Sequence, residues 1–127
     1  MSEAVTEGVR VTVQSRFHPE RSDPQRRFWF FSYEVTIANE GELPVRLESR
    51  HWVITDGRGH VEEVRGPGVI GQQPIIAPGD SHRYVSACPL QTAMGVMEGS
   101  YHMLRVDGTR FDARIAPFAL TDPSMEH

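Results

Sequence analysis

Gly66, Gly68 and Gly71 have the spacing G-x-G-x-x-G, and Arg65 precedes them directly. A glycine loop of this form lets backbone N–H groups approach a pyrophosphate, with Arg65 as the obvious charged partner. The dinucleotide-binding version also needs a helix directly behind the glycines, whose N-terminal end adds positive potential. Here Gln72-Gln73-Pro74-Ile75-Ile76-Ala77-Pro78 follows, and two prolines around a β-branched pair oppose a helix. A kinase-type loop needs no such helix but does need a lysine on a later strand. The chain has no lysine, its 13 basic residues all being arginine. The residues therefore favour a structural loop with positive-φ turns, and binding of a nucleotide or pyrophosphate at Gly66 to Gly71 is the alternative.

The other candidates for chemistry are weaker. The histidines are His18, His51, His60, His82, His102 and His127, and no pair shows the i, i+4 spacing of a helical zinc site. His51 and His60 fall on the two arms of one hairpin with Asp56 in its turn, a spacing that any hairpin with two polar residues also produces. No metal site is assigned, and no cofactor. Cys88 has no cysteine partner and lies beside Pro89; it reads as a small buried hydrophobe. Ser81 and Ser86 lack a G-x-S-x-G context, so no nucleophile elbow can be argued. Glu62 and Glu63 are adjacent, and adjacent strand residues point to opposite faces, so the two cannot flank one bond. The sequence thus points away from an enzyme.

These residues must be positioned by strands. Val9, Val11 and Val13 alternate with polar residues. His18 to Gln25, with Pro19 and Pro24, reads as a loop. Arg27 to Asn39 is the strongest strand and a central one, with Trp29, Phe31, Tyr33, Val35 and Ile37 on one parity. Arg21, Arg26 and Arg27 beside Phe28 to Phe31 resemble a single-strand stacking surface, but a solvated loop running into a core strand explains them better. Asn39 to Glu42 supplies a turn before Pro44. Val45, Leu47 and Ser49 then alternate with Arg46, Glu48 and Arg50, and the strand continues to Ile54. Asp56-Gly57-Arg58-Gly59 is a hairpin signal, with Gly59 where a left-handed bulge residue sits. His60 to Arg65 is its returning strand.

Ala77-Pro78-Gly79-Asp80 turns the chain into the strand Ser81 to Leu90. Thr92 to Gly99 is the one place where a short helical turn fits. Ser100 to Val106 and Arg110 to Leu120 are the last strands, joined at Asp107-Gly108, and Pro117 marks an edge or a bulge. Seven or eight short strands, turn signals about every ten residues, and no helix indicate an antiparallel β-sandwich of the immunoglobulin-like or fibronectin type III-like kind. The chain reads as one domain, with its core over about 9–120 and a frayed tail over 121–127.

Composition narrows the function classes. A chain of 127 residues with 39% hydrophobic content supports one core without metal or disulfide. The formal net charge of −4 argues against broad attraction to nucleic acid or anionic lipid. Apolar runs are too short to cross a bilayer and no leader pattern is expected, so the expected compartment is the cytoplasm, where a single thiol stays reduced.

Ser49 to Pro74, reading SRHWVITDGRGHVEEVRGPGVIGQQP, resembles the signature of the bacterial ApaG family. The resemblance extends to Ile76-Ala77-Pro78-Gly79, to Met97 through Met103 and to Phe111 through Phe118. It implies an immunoglobulin-like sandwich. It also implies relatives in eukaryotic F-box proteins and in a DNA-polymerase-interacting protein, where the domain is thought to mediate protein contacts. Bacterial members carry a phenotype of cobalt resistance and magnesium efflux, and their gene often neighbours that of a diadenosine tetraphosphate hydrolase. No enzymatic activity is implied. A transporter is not implied either, since no segment can span a bilayer. The expectation is a non-enzymatic module that contacts a protein partner through loops or an exposed sheet edge.

Overall fold

A computed structural model describes residues 1–125. Nine strands run in chain order: β1 Ser2–Thr6, β2 Val9–Phe17, β3 Trp29–Asn39, β4 Val45–Asp56, β5 Val61–Pro67, β6 Ile75–Ile76, β7 Ser81–Leu90, β8 Met94–Arg105 and β9 Arg110–Thr121. One sheet has the order β1-β2-β3-β7 and the other β5-β4-β8-β9, with β6 added to β4, and every pairing is antiparallel. The expected sandwich is present.

Alternation explains the layering. Along β3 the odd-numbered residues from Trp29 to Asn39 are buried and the even ones are half-buried, so the strand faces the other sheet with one parity. Val11, Val13, Phe31, Val35 and Ile37 meet Leu47, Trp52, Met97, Tyr101, Met103 and Ile115 across the core. Each such side chain stabilises the fold by roughly 1.5–3 kcal/mol when fully buried. Trp52 anchors the centre, with ring centroids 5.2 Å from Tyr33, 5.9 Å from Phe118 and 6.2 Å from Tyr101.

The sequence reading needs correction at the ends and at β8. β1 pairs with β2 from Ser2 to Thr6, so the sheet begins well before Val9. The supposed tail is anchored: buried Asp122 accepts a hydrogen bond from Trp29 Nε1 at 3.1 Å, and its amide donates to Ala93 O at 2.9 Å. Pro123–Met125 then form a 3-10 turn, while Glu126 and His127 fall outside the described residues. Met94 to Gly99 is the first half of β8 rather than a helical turn. Its glycine is needed for sheet packing, since a Cβ on Gly99 would lie 2.0 Å from His51 O. Pro117 sits where the β8–β9 ladder skips between Ile115 and Phe118, a bulge as anticipated.

The two flanks of the sandwich differ. On one, β1 and β2 meet β9: Arg114 N donates to Thr6 Oγ1 at 3.0 Å and Ser15 Oγ to Ala119 O at 2.8 Å. On the other, β7 and β5 are the last strands of their sheets, each with one side of its ladder unpaired among the described residues.

Candidate functional site

The glycine segment lies on the open flank and is built from the inside of the fold outward. Gly66 belongs to β5 and pairs with Arg50, so the strand runs two residues beyond the expected Arg65. Val69 and Gln72 exchange both backbone hydrogen bonds, at 2.8 and 2.9 Å, closing a two-residue turn. Ile70 and Gly71 have φ of +47° and +71°, the pair of positive values that such a turn requires. Gly68 N donates to Glu48 O at 2.8 Å. The amides of Gly68, Val69 and Gln72 are therefore engaged by main-chain carbonyls. The glycines shape a structural connection, with buried Val69 pinned into the core.

Arg65 and Gly66 point to opposite faces of β5. Arg65 lies on the outer face, mostly exposed, 3.5 Å from Glu63. On that face His51 Nε2 is 2.8 Å from Glu63 Oε1, and His102 Nδ1 is 2.8 Å from Asp112 Oδ1. The His51 contact, ahead of the charge of Arg65, holds the Glu63 carboxyl below its ordinary value. His51 and His60 do not converge. His51 lies opposite Arg65, five residues from His60, a separation of about 17 Å along a strand. Among the described residues no group of three or more His, Cys, Asp or Glu side chains is placed to hold a metal ion.

The charged residue that does reach the glycine segment is Arg50, from β4. Its Nη1 donates to Pro67 O and to Gly68 O, each at 3.0 Å. Gly66 makes this possible: a Cβ there would lie 3.0–3.1 Å from the guanidinium. Simple alternation puts Arg50 on the solvent face with Arg46. A β-bulge between Leu47 and Ser49 inserts Glu48 as an extra residue and turns Arg50 inward, onto the parity of Trp52 and Ile54. The Glu48 carbonyl stabilises the bulge by accepting from Gly68 N and, at 2.9 Å, from Gln73 Nε2.

Arg50 lines a cavity of about 160 Å³ with Tyr33, Trp52, Val69, Ile70, Tyr84 and Ser86. Tyr84 and Tyr101 share a hydroxyl–hydroxyl hydrogen bond behind it. Burial raises the phenol of Tyr84 far above its usual value, so it remains a neutral donor at any physiological pH. Further along the flank, a second cavity of about 340 Å³ is lined by residues including Phe28, Ile54, His60, Glu62 and Leu90. Between the two, Cys88 is buried, and burial with the Glu62 charge pushes its thiol up to about 11. It is a poor nucleophile. The arginine–aromatic stretch near residue 21 behaves as a loop entering a core strand: Trp29 and Phe31 are buried, and the Arg21 guanidinium stacks 3.8 Å from the Phe30 ring centroid.

A strand order of β2-β3-β7 against β5-β4-β8-β9, with β1 appended, defines a small fibronectin type III-like domain. The family model described as the ApaG domain matches residues 19–105. Protein ApaG of Azotobacter vinelandii is 54% identical, with 94% of each chain covered, and Protein ApaG of Anaeromyxobacter dehalogenans is 55% identical with 97% of each covered. The crystal structure described as the ApaA protein of Bordetella pertussis superposes with a TM-score of 0.88 at 48% identity, covering 91% of this chain and 94% of that one. The chain belongs to the ApaG family.

Proposed function

We propose that the chain is a non-enzymatic binding module that takes an extended segment of a partner protein along the open flank, beside β7. One observation carries the reading. β7 is a ten-residue strand whose outer ladder has no partner among the described residues, and its flank is indented by the cavities described above. An added strand gains main-chain hydrogen bonds from such an edge, while pockets beside it select side chains. Val85 on its outer face is 55% exposed, an apolar contact beside the free edge. The opposite flank is stitched, with Thr6 accepting from Arg114 N and Ser15 donating to Ala119 O between the two sheets.

The same features argue against chemistry at this flank. Cys88 holds its proton, and the flank's tyrosines are neutral donors. No helix of the described residues is long and apolar enough to cross a membrane. In this reading the module works in the cytoplasm, and the cobalt and magnesium phenotypes associated with the family pass through its partner.

A photo-crosslinking residue at Val85, compared with one at Thr12 on the outer face of β2, tests the reading in cells. Capture of one discrete protein from Val85 and not from Thr12 is the expected result. Equal capture from both positions, or none from Val85, removes it.

A further inference from the structure

We infer that Arg50 and the cavity it lines form a carboxylate-binding subsite, which anchors an acidic group of the segment docked along β7. The inference rests on the edge-docking reading for its partner, and its first observation is an imbalance of charge. Three arginines are half-buried: Arg10, Arg50 and Arg105. Arg10 holds Glu3 and Glu40, and Arg105 holds Glu7 at 3.0 Å. Arg50 has no carboxylate within ion-pair distance among the described residues. Its hydrogen bonds are both made by Nη1, to Pro67 O and Gly68 O. Those bonds fix the plane of the guanidinium and leave its other N–H groups for a ligand. A half-buried cation held in place without a counter-charge is arranged to receive one, since guanidinium and carboxylate match as a two-point pair.

The cavity supports the same chemistry. Ser86 and Tyr84 bring hydroxyl groups to its wall, Trp52 and Val69 bring apolar surface, and exposed Ile70 stands at its rim. Its 160 Å³ equals the liquid volume of about five waters. That accommodates one side-chain carboxylate or a chain terminus, and it is well below the roughly 300–1,000 Å³ of sites that enclose a drug-sized ligand. Ser86 lies on β7 itself, so a segment paired with that edge runs directly past the cavity mouth. The fold also invests in this placement. The Glu48 bulge turns Arg50 inward, Gly66 leaves room for its head, and the turn through Gly68 and Gly71 presents the two carbonyls that hold it.

The test is a titration of the full chain at constant ionic strength, following the Arg50 Nε resonance. The probes are N-acetylglutamate methylamide for a side-chain carboxylate, N-acetylglycine for a terminal one, N-acetylglutamine methylamide as a neutral match, and inorganic phosphate and pyrophosphate. Saturable shifts with the carboxylates at millimolar Kd, at least about tenfold weaker with the neutral amide, are expected. The stronger of the two carboxylates identifies side chain or terminus as the source. No saturation with either, equal binding of the amide, or tenfold tighter binding of phosphate or pyrophosphate overturns the inference. Arg50→Gln should abolish the shifts seen at Tyr84 and Ser86, but it also removes two bonds that hold the turn. Ser86→Asp keeps those bonds and places a carboxylate in the cavity. It should stay folded and weaken carboxylate binding at least about tenfold, and unchanged binding contradicts the site. Capture at Val85 without carboxylate binding would sink this inference alone, whereas carboxylate binding without capture would sink only the edge reading.

Discussion

Replacing Gly68 by alanine separates a glycine segment that shapes the fold from one kept open for a ligand. Gly68 has a φ of +58°, and a Cβ there would lie 2.0 Å from Gln72 O and 2.8 Å from its carbonyl carbon. The left-handed conformation costs a residue with a side chain roughly 1–2 kcal/mol. The overlap is with backbone, which cannot rotate away, and relieving it must break the Val69–Gln72 pair or move Gly68 N off Glu48 O. Forced overpacking of this kind costs about 1–3 kcal/mol, so the sum is about 2–5 kcal/mol. In a domain of this size that lowers Tm by roughly 6–20 °C. Gly71→Ala is the matched control: its φ is +71° with nothing within 4 Å, so only the backbone cost of roughly 1–2 kcal/mol remains. Urea and thermal unfolding of both variants give the comparison. Equal losses, or a Gly68→Ala loss below about 1 kcal/mol, would show that the close approach to Gln72 does not set the shape of this turn.

Other residues give independent tests. Asn39 is buried, donates to Leu43 O at 2.8 Å and Ile76 O at 2.9 Å, and accepts from Gly41 N at 3.0 Å. Asn39→Ala strands those groups and should cost about 2–4 kcal/mol in urea unfolding, whereas removing the solvent-screened Arg10–Glu40 pair should leave the urea midpoint nearly unchanged. With its thiol at about 11, Cys88 should react with iodoacetamide at pH 8 roughly two-hundred-fold more slowly in the folded protein than in urea; equal rates would refute its burial. Burial pushes the Asp122 carboxyl up, but the hydroxyl and amide of Ser124 and the Trp29 indole hold it below its ordinary 3.8. Because the folded pKa is depressed, the stability it contributes is present above about pH 4 and lost as pH falls through the folded value. The Tm gap between wild type and Asp122→Asn should therefore narrow from pH 6 to pH 2.5, and a constant gap would contradict the linkage.

Much of this fold is legible in the residues. Trp29 to Ile37 alternate so regularly that the central strand and its buried face follow directly. The Asp56 to Gly59 turn is equally clear, because Gly59 adopts a φ of +82° and Asp56 Oδ1 accepts from the amides of Arg58 and His60 at 2.8 and 3.0 Å. The opposed faces of Glu62 and Glu63 are also plain from alternation alone. What alternation could not show is the bulge at Glu48, since one inserted residue reverses the facing of everything after it in the strand. Alternation alone therefore leaves Arg50 on the parity of Arg46, and Arg65 stands as the natural partner for the glycines. The one available signal was Arg50 two residues before Trp52, a tryptophan that a sandwich buries. β1 is hidden in the sequence for a different reason: Glu3 and Thr6 make it look polar, and its place in the sheet depends on pairing with β2 across the Glu7-Gly8 turn, where both residues have positive φ. Asp122 reads as tail because its partner, the Trp29 indole, is 93 residues away in the chain.

Amide exchange of the glycine segment, with pyrophosphate and Mg²⁺ added in a second experiment, tests most directly whether these glycines build the fold or hold a phosphate. The Gly68, Val69 and Gln72 amides should exchange slowly in the free protein, because each donates to a main-chain carbonyl, and their shifts should stay fixed as pyrophosphate is added. Fast exchange in the free protein, followed by saturable shifts and new protection with pyrophosphate, would contradict the account.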